Sequence, residues 1–437
     1  MQEASRIRFW RKAATAAVLV TALASLPASA APSQQAVRAA LTAVAGQLCP
    51  DGLHDPGALE SRLAGYALTD VEDAGPSESW LRREVRLVAL QADLAVVVTG
   101  LRAGGLLRRL EIEVRALGED RPLMLALADG ECRILQARAL RYDNNSASEV
   151  LLLAPDMETV VGQEPLDPPV PPGEDALGVT VAHVDSGVNY LLPQIAARLA
   201  RDPQGRSLGY DFWDLDPRPF DGDTGRSPFF PIRHGSQVAS LLLAEAPEVR
   251  LVPFRYPRPD MARMGEVVAR ARAAGAAILA LPMGSRSPGD WTSFAAAVQA
   301  HPDMLFIVSA GNDGRDIDAV PLYPAALSLD NVIVVTSAED DGSLARGSNW
   351  GAVSVDLLVP AENRAVNGFA GEPTRGSGSS FAVPRVAALA ARLKAAHPDW
   401  VAGELKAEIF ARAAPPPPWS AGAVAVGWLP EAAFQAD

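Results

Sequence analysis

Hydrophobic positions change their spacing as the chain advances, and each change marks a boundary. Residues 33–66 repeat apolar side chains at helical intervals, which predicts two helices; Asp55-Pro56 opens the second, where a first-turn proline loses no helical hydrogen bond. From Trp80 to Tyr142 the period drops to two, most cleanly in Leu110-Glu111-Ile112-Glu113-Val114-Arg115, the pattern of strands buried on one face. Gly104-Gly105 and Asp129-Gly130 separate successive runs and suit hairpin turns. Residues 31–153 therefore predict a smaller α+β domain, an antiparallel meander preceded by helices. Residues 154–173, proline-dense from Glu164 to Gly173, predict an extended linker.

Beyond the linker, residues 174–437 show continuous apolar runs: 178–184, 249–253, 276–281, 305–309, 332–336 and 355–359. Strands buried on both faces read this way. Helical stretches such as Met264–Ala273 lie between most of them, which predicts an α/β domain with a doubly wound, mostly parallel sheet. Ligand sites in such sheets collect at the carboxyl ends of the strands. The last element, behind Gly376-Ser377-Gly378-Ser379-Ser380, carries Val386, Leu389, Ala390 and Leu393 on one helical face. Ser380 is thereby placed at a helix start, where free N–H groups favour developing negative charge, with Pro384 close to the first turn.

Composition narrows the class. The chain has 437 residues and a net charge of −13, which is a poor match to a phosphate-tracking surface and argues against nucleic acid as a partner. Arg6, Arg8, Arg11 and Lys12 precede an apolar stretch from Ala13 to Leu26 and the small residues Ala28-Ser29-Ala30. That is the layout of a signal peptide over residues 1–30, with an uncleaved N-terminal anchor as the alternative. Export to the periplasm or the extracellular space follows, without stable membrane insertion after cleavage. A monomer is expected. An oxidising destination permits a disulfide between Cys49 and Cys132, the only cysteines. Neither lies at a zinc-ligand spacing, and no cofactor is called for. Asp214, Asp216, Asp221 and Asp223 offer hard oxygen ligands that suit calcium, although Asp-Gly turn chemistry in a solvated loop is the commoner origin of such a cluster.

Candidate chemistry falls at the predicted strand ends. His183-Val184-Asp185-Ser186-Gly187 closes the first buried run, Ser309-Ala310-Gly311-Asn312 the fourth, and Arg233-His234-Gly235 leads into a helix. Of the other histidines, His301 and His397 precede prolines, His54 lies in the first domain, and His183 shares a strand face with Asp185 and reads as packing. A serine hydroxyl becomes a nucleophile when an imidazole takes its proton, and the imidazole needs a carboxylate to hold its tautomer. Asp185, His234 and Ser380 supply those parts. Asn312 and the Ser380 N–H can face an oxyanion. No Gly-x-Ser-x-Gly elbow surrounds a plausible nucleophile, which disfavours an esterase.

These motifs resemble those of the subtilases, the subtilisin-like serine peptidases, across residues 175–434. Val184-Asp185-Ser186-Gly187 resembles the family's Asp motif, and His234-Gly235-Ser236-Gln237-Val238-Ala239 its His motif with Ser for Thr. Gly378-Ser379-Ser380-Phe381-Ala382-Val383-Pro384 is similar to the Ser signature, with Ser for Thr and Phe for Met. Ser309-Ala310-Gly311-Asn312 resembles the oxyanion segment, and Tyr323-Pro324-Ala325 and Ser348-Asn349-Trp350-Gly351 match supporting stretches. The resemblance implies an exported serine endopeptidase with a polypeptide substrate; the alternative is a catalytically silent fold used for binding. It implies further that a peptide lies extended along Leu281, Pro282, Met283 and Gly284, facing Ser309, Ala310 and Gly311. Pro282 stands where the family usually has Ser, and it removes an N–H from that edge. The family also implies two fates for residues 31–153. One is a prodomain cut off by the enzyme itself, with the cut expected in residues 156–163; the other is a permanent accessory domain.

Overall fold

The computed structural model describes residues 32–435 except 49–52, 54, 76–79 and 144–145. The expected signal segment and Cys49 therefore lie outside the described residues. Two helices come first, α1 (Gln34–Leu48) and α2 (Pro56–Arg62), followed by a meander. Its strands are β1 (Tyr66–Ala74), β2 (Arg82–Ala89), β3 (Leu94–Ala103), β4 (Leu106–Ala116), β5 (Arg121–Asp129), β6 (Ile134–Asp143), β7 (Ser146–Leu153) and β8 (Val160–Pro165). They pair in sequence order as an antiparallel sheet of eight strands. The period-two pattern explains the packing. Val96, Val98, Ile112 and Val114 point to one face and bury beneath Leu41 and Val44 of α1. Leu125, Leu127, Leu140 and Val150, one position out of step, point to the other face.

The expected linker over 154–173 needs correction. Val160–Pro165 pairs with β7 from Leu153↔Val160 to Glu149↔Pro165, so the first domain runs to Pro165. The sequence hides this strand because Gly162 and the first prolines mask its alternation. Connection to the next domain is left to residues 166–175, and that stretch is tied down as well. Asp167 pairs with Arg218 at 2.6 Å, the Tyr190 hydroxyl donates to the Pro168 carbonyl, and Arg201 donates to the Pro171 carbonyl.

The second domain contains β9 (Thr180–Asp185), α3 (Pro193–Ala196), β10 (Tyr210–Asp211), α4 (Gly235–Glu245), β11 (Arg250–Arg255), α5 (Met264–Ala273), β12 (Ile278–Leu281), α6 (Thr292–Ala300), β13 (Leu305–Ser309), β14 (Val332–Ala338) and β15 (Leu357–Pro360). A small antiparallel pair, β16 (Arg364–Asn367) and β17 (Pro373–Gly376), precedes α7 (Ser379–Ala396), α8 (Ala402–Ala411) and β18 (Gly427–Trp428). The main sheet runs β10-β11-β9-β12-β13-β14-β15-β18, with every neighbouring pair parallel. Helices α4, α7 and α8 cover one face and α5 and α6 the other, so the strands are buried on both sides, as their unbroken apolar runs require. From β9 the chain moves to one side for β11 and returns to the other for β12. That reversal opens a crevice at the carboxyl end of β9.

Candidate active site

Asp185 ends β9 at this crevice, and His234 caps the N-terminus of α4. Glycine lets the two elements meet. A Cβ on Gly235 would lie 2.0 Å from the Gly187 carbonyl oxygen and 3.0 Å from the Asp185 Cβ, so only glycine seats α4 against the turn after β9. His234 Nδ1 then reaches both carboxylate oxygens of Asp185 at 2.8 Å. Asp185 Oδ1 also accepts the Ser186 N–H at 2.7 Å.

The serine loop and the β13 end form the facing wall. Gly378, at φ +108°, turns the chain into α7, whose first two residues are Ser379 and Ser380. The expected first-turn place for Pro384 needs adjusting, because it stands inside α7 and removes the N–H that would take the Ser380 carbonyl. Ser379 is fully buried; its hydroxyl pairs with Ser309 Oγ at 2.7 Å and donates to Asn312 Oδ1 at 2.9 Å. The Ser379 N–H donates to the same Oδ1 at 2.9 Å. With its carbonyl end thus held, the Asn312 amide presents its NH2 group away from Ser379. Ser380 is half-buried, and its hydroxyl donates to the Pro282 carbonyl at 3.3 Å. The Phe381 ring lies 6.2 Å from the His234 ring, which brings the His and Ser elements side by side.

Asp185 and His234 shift each other's titration. Burial pushes the Asp185 carboxyl up, but His234, then His183 and the Ser186 N–H, outweigh it and hold the group below the usual carboxylate range. Burial alone would lower the His234 imidazole. The charge and hydrogen bond of Asp185, with a smaller push from Asp221, raise it above the ordinary histidine value. Burial lowers the His183 imidazole below that value.

The structure brings Asp185 and His234 together, and Asn312 to the serine loop. It revises the peptide-binding set. Leu281, Pro282, Ser309 and Ala310 are buried, and only Met283, Gly284 and Gly311 offer surface. Ser309 serves instead as the support for Ser379. The four loop aspartates take separate protein partners, Asp221 the Ser186 hydroxyl. Asp214 pairs with Arg255, Asp216 with Arg218 and Asp223 with Arg258, and no group fit for a metal occurs among the described residues. Among the same residues no cysteine is free, and Cys132 sits at φ +60° in the turn after β5; its expected partner Cys49 is not described.

Several supporting residues escaped the sequence reading. Asp221, fully buried, accepts the Ser186 hydroxyl at 2.6 Å and the Ser236 N–H at 2.9 Å, and so anchors the start of α4. Glu362 accepts the Gly378 N–H at 3.0 Å, bracing the serine loop. His183, read as packing, also binds: its Nε2 lies 3.1 Å from the Gly235 carbonyl. The only available signal was the pairing of His183 with Asp185 on one strand face.

The chain is 40% identical over 101 residues to "Subtilisin-like protease 1" of Trichophyton verrucosum and, equally, of Arthroderma benhamiae. The match covers 23% of this chain and 24% of each relative, so the chain spans about a quarter of their length. Among solved structures, a cold adapted subtilisin-like serine proteinase aligns with TM-score 0.48 and 24% identity, over 63% of this chain and 95% of that one. The model of the subtilase family matches residues 177–425, from just ahead of β9 to the approach to β18, with Asp185, His234, Asn312 and Ser380 inside it. The chain belongs to the subtilase family.

Proposed function

We propose that the protein is an exported serine endopeptidase. The observation that carries this reading is the Asp185–His234 pair, with both carboxylate oxygens 2.8 Å from Nδ1 and the Phe381 ring, next to Ser380 in sequence, 6.2 Å from the His234 ring. Asp185 holds His234 in the tautomer that leaves Nε2 as acceptor. Rotation of the Ser380 side chain carries its hydroxyl from the Pro282 carbonyl to that nitrogen. As Ser380 Oγ attacks the scissile carbonyl, its proton passes to His234, which then returns it to the leaving amine; water reverses the sequence and frees the acid. The oxyanion meets the Asn312 NH2 group and the Ser380 N–H, which has no acceptor within the first turn of α7. A peptide lies extended past Met283 and Gly284. The basic and apolar pattern of residues 1–30 supports export, and an oxidising destination suits a Cys49–Cys132 bond.

One observation favours a catalytically silent fold: the Ser380 hydroxyl pairs with Pro282 and not with His234. Catalytic hydrogen bonds are commonly loose before substrate arrives, so the geometry is compatible with activity. A fluorophosphonate probe decides between the readings. Wild-type protein should label and cleave peptides, and Ser380→Ala should do neither while remaining folded. Ser379→Ala should still label, because Ser379 is buried behind Asn312 and Ser309. An unlabelled wild type supports the silent fold.

A further inference from the structure

The loop that leads into His234 is held by the other domain. Residues 222–233 follow Asp221, and midway along them stand Phe229 and Phe230. Phe229 is fully buried, and the buried residues clustered with it all belong to the antiparallel sheet. It packs with Leu125, Leu127, Leu140 and Val150, the face of the antiparallel sheet turned away from α1. Arg138 of β6 fixes the contact from both sides. Its guanidinium donates to the Phe229 carbonyl at 2.9 Å and lies 4.2 Å from the centre of the Phe230 ring. The tie continues toward the crevice. Glu164 of β8 lies 3.7 Å from Arg138 and 3.7 Å from Arg233, the residue before His234. Arg233 stacks on Phe369 and donates to the Asp221 carbonyl, and the Asp221 carboxylate holds the start of α4.

We propose that the N-terminal domain is a permanent clamp that positions the His234 loop, and not an inhibitory segment that is discarded. The proposal rests on the peptidase reading above. Its first argument is the sheet face itself. Release of the domain would expose Phe229 together with the four aliphatic side chains it packs against, which the folded enzyme otherwise keeps from water. The second is the chain path. An inhibitory segment has to present an extended strand to the nucleophile. Here Val160–Pro165 is already consumed as a strand of the sheet, and the Asp156 carboxylate caps the turn before it, accepting the Glu158 and Thr159 N–H groups at 2.9 Å. The third is the route of residues 166–175. Their bonds go to Arg218, Tyr190, Arg201 and Arg250, and none of these goes to Ser380 or Asn312.

The test uses the whole chain with a recognition site for an external protease inserted after Gly173, an exposed position. After nicking, the N-terminal fragment should co-elute with the rest on gel filtration, and kcat should stay within about twofold of the intact enzyme. Phe229→Ala and, independently, Arg138→Ala should release the fragment on nicking. In the uncut chain each should lower kcat by about tenfold or more with little change in KM, because a displaced base affects the reaction and not substrate capture. Each should also move the acid limb of the kcat/KM profile to lower pH as the His234–Asp185 contact loosens. The titratable neighbours of His234, namely Asp185 and His183 of β9 and Asp221 ahead of the loop, are untouched by either change. Departure of the fragment from the nicked wild type overturns the proposal, and a rise in activity on departure would establish an inhibitor. Loss of the domain during purification of wild type but not of Ser380→Ala also overturns it, as does full kcat in both variants. Failure of the wild type to label with a fluorophosphonate would instead overturn the peptidase reading.

Discussion

Replacing Asn312 first by alanine and then by aspartate separates the two ends of its side chain. The carbonyl end is structural: it accepts the N–H and the hydroxyl of Ser379, at 2.9 Å each. The NH2 end is the one left for an oxyanion. Alanine removes both. Loss of one preorganised donor should lower kcat by about 10²–10³, or roughly 2.7–4 kcal/mol, and leave KM nearly unchanged because the oxyanion exists only in the transition state. Loss of the acceptor leaves polar groups of the buried Ser379 wanting, which costs about 1–3 kcal/mol of stability. Aspartate keeps an acceptor for Ser379 but has no donor, and its charge opposes the oxyanion. It should therefore be at least as slow as alanine while recovering most of the stability. Steady-state kinetics and urea unfolding on the same preparations read the two effects separately. A kcat within about threefold of wild type in either variant would remove Asn312 from the oxyanion site.

Other expectations are simpler. His234 works as a base only when neutral, and its pKa is raised, so the acid limb of kcat/KM should lie above the ordinary value of about 6.5. Asp185→Asn should move that limb to lower pH and depress kcat by about 10⁴. Because the Asp185 pKa is lowered in the fold, its stabilising contribution is present above about pH 3.9 and lost as pH falls through the folded value; wild type and Asp185→Asn should therefore converge in stability at low pH. Arg385→Ala leaves Glu245 and Glu431 without their partner at 2.7 and 2.8 Å and should cost about 3 kcal/mol on urea unfolding, the lower end expected because Glu431 is largely exposed. Leu322 fills the space between Gly284 and Gly311, its Cδ2 lying 3.3 and 2.5 Å from where their Cβ atoms would be. Leu322→Ala should widen the cleft there and shift cleavage of a peptide library toward larger side chains next to the cut; an unchanged profile would place the substrate elsewhere.

The parallel sheet was legible because burial on both faces leaves no choice of residue. Leu305–Ser309 and Met264–Ala273 were read from the sequence with the bounds they have in the structure. Short partners of one side only, such as Tyr210–Asp211 and Gly427–Trp428, carry no such run and were missed. The candidate site followed from the sheet, since a doubly wound topology delivers strand ends to one crevice whatever lies between them. That rule covers Asp185 and Asn312, at and after the ends of β9 and β13, whereas His234 and Ser380 stand at helix starts. It says nothing about what fixes them. Asp221 is two positions from Asp223 in the sequence, yet one is buried at a helix start and the other is paired with Arg258. Spacing alone cannot separate a carboxylate that caps a helix from one that pairs with an arginine, because the partner comes from a distant segment.

The same limit explains the misplaced domain boundary, and it bears on how the enzyme would be assembled. Phe229-Phe230 is an apolar pair in a proline-bordered loop with no period around it, and a loop is expected to run over the surface in water. Two adjacent aromatics there have a cause only in a second surface that covers them. The alternating strands contain that surface, but alternation reports two faces without saying what each one meets. One face of the meander is accounted for by α1; the aliphatic residues of the other face, Leu125, Leu127, Leu140 and Val150, needed a partner as well. A chain whose two unexplained apolar sets lie in different domains is more economically folded as one body than as two. The contact falls just ahead of His234 in the sequence, so the residue proposed to move the proton directly follows Arg233, which lies 3.7 Å from Glu164 of the N-terminal domain.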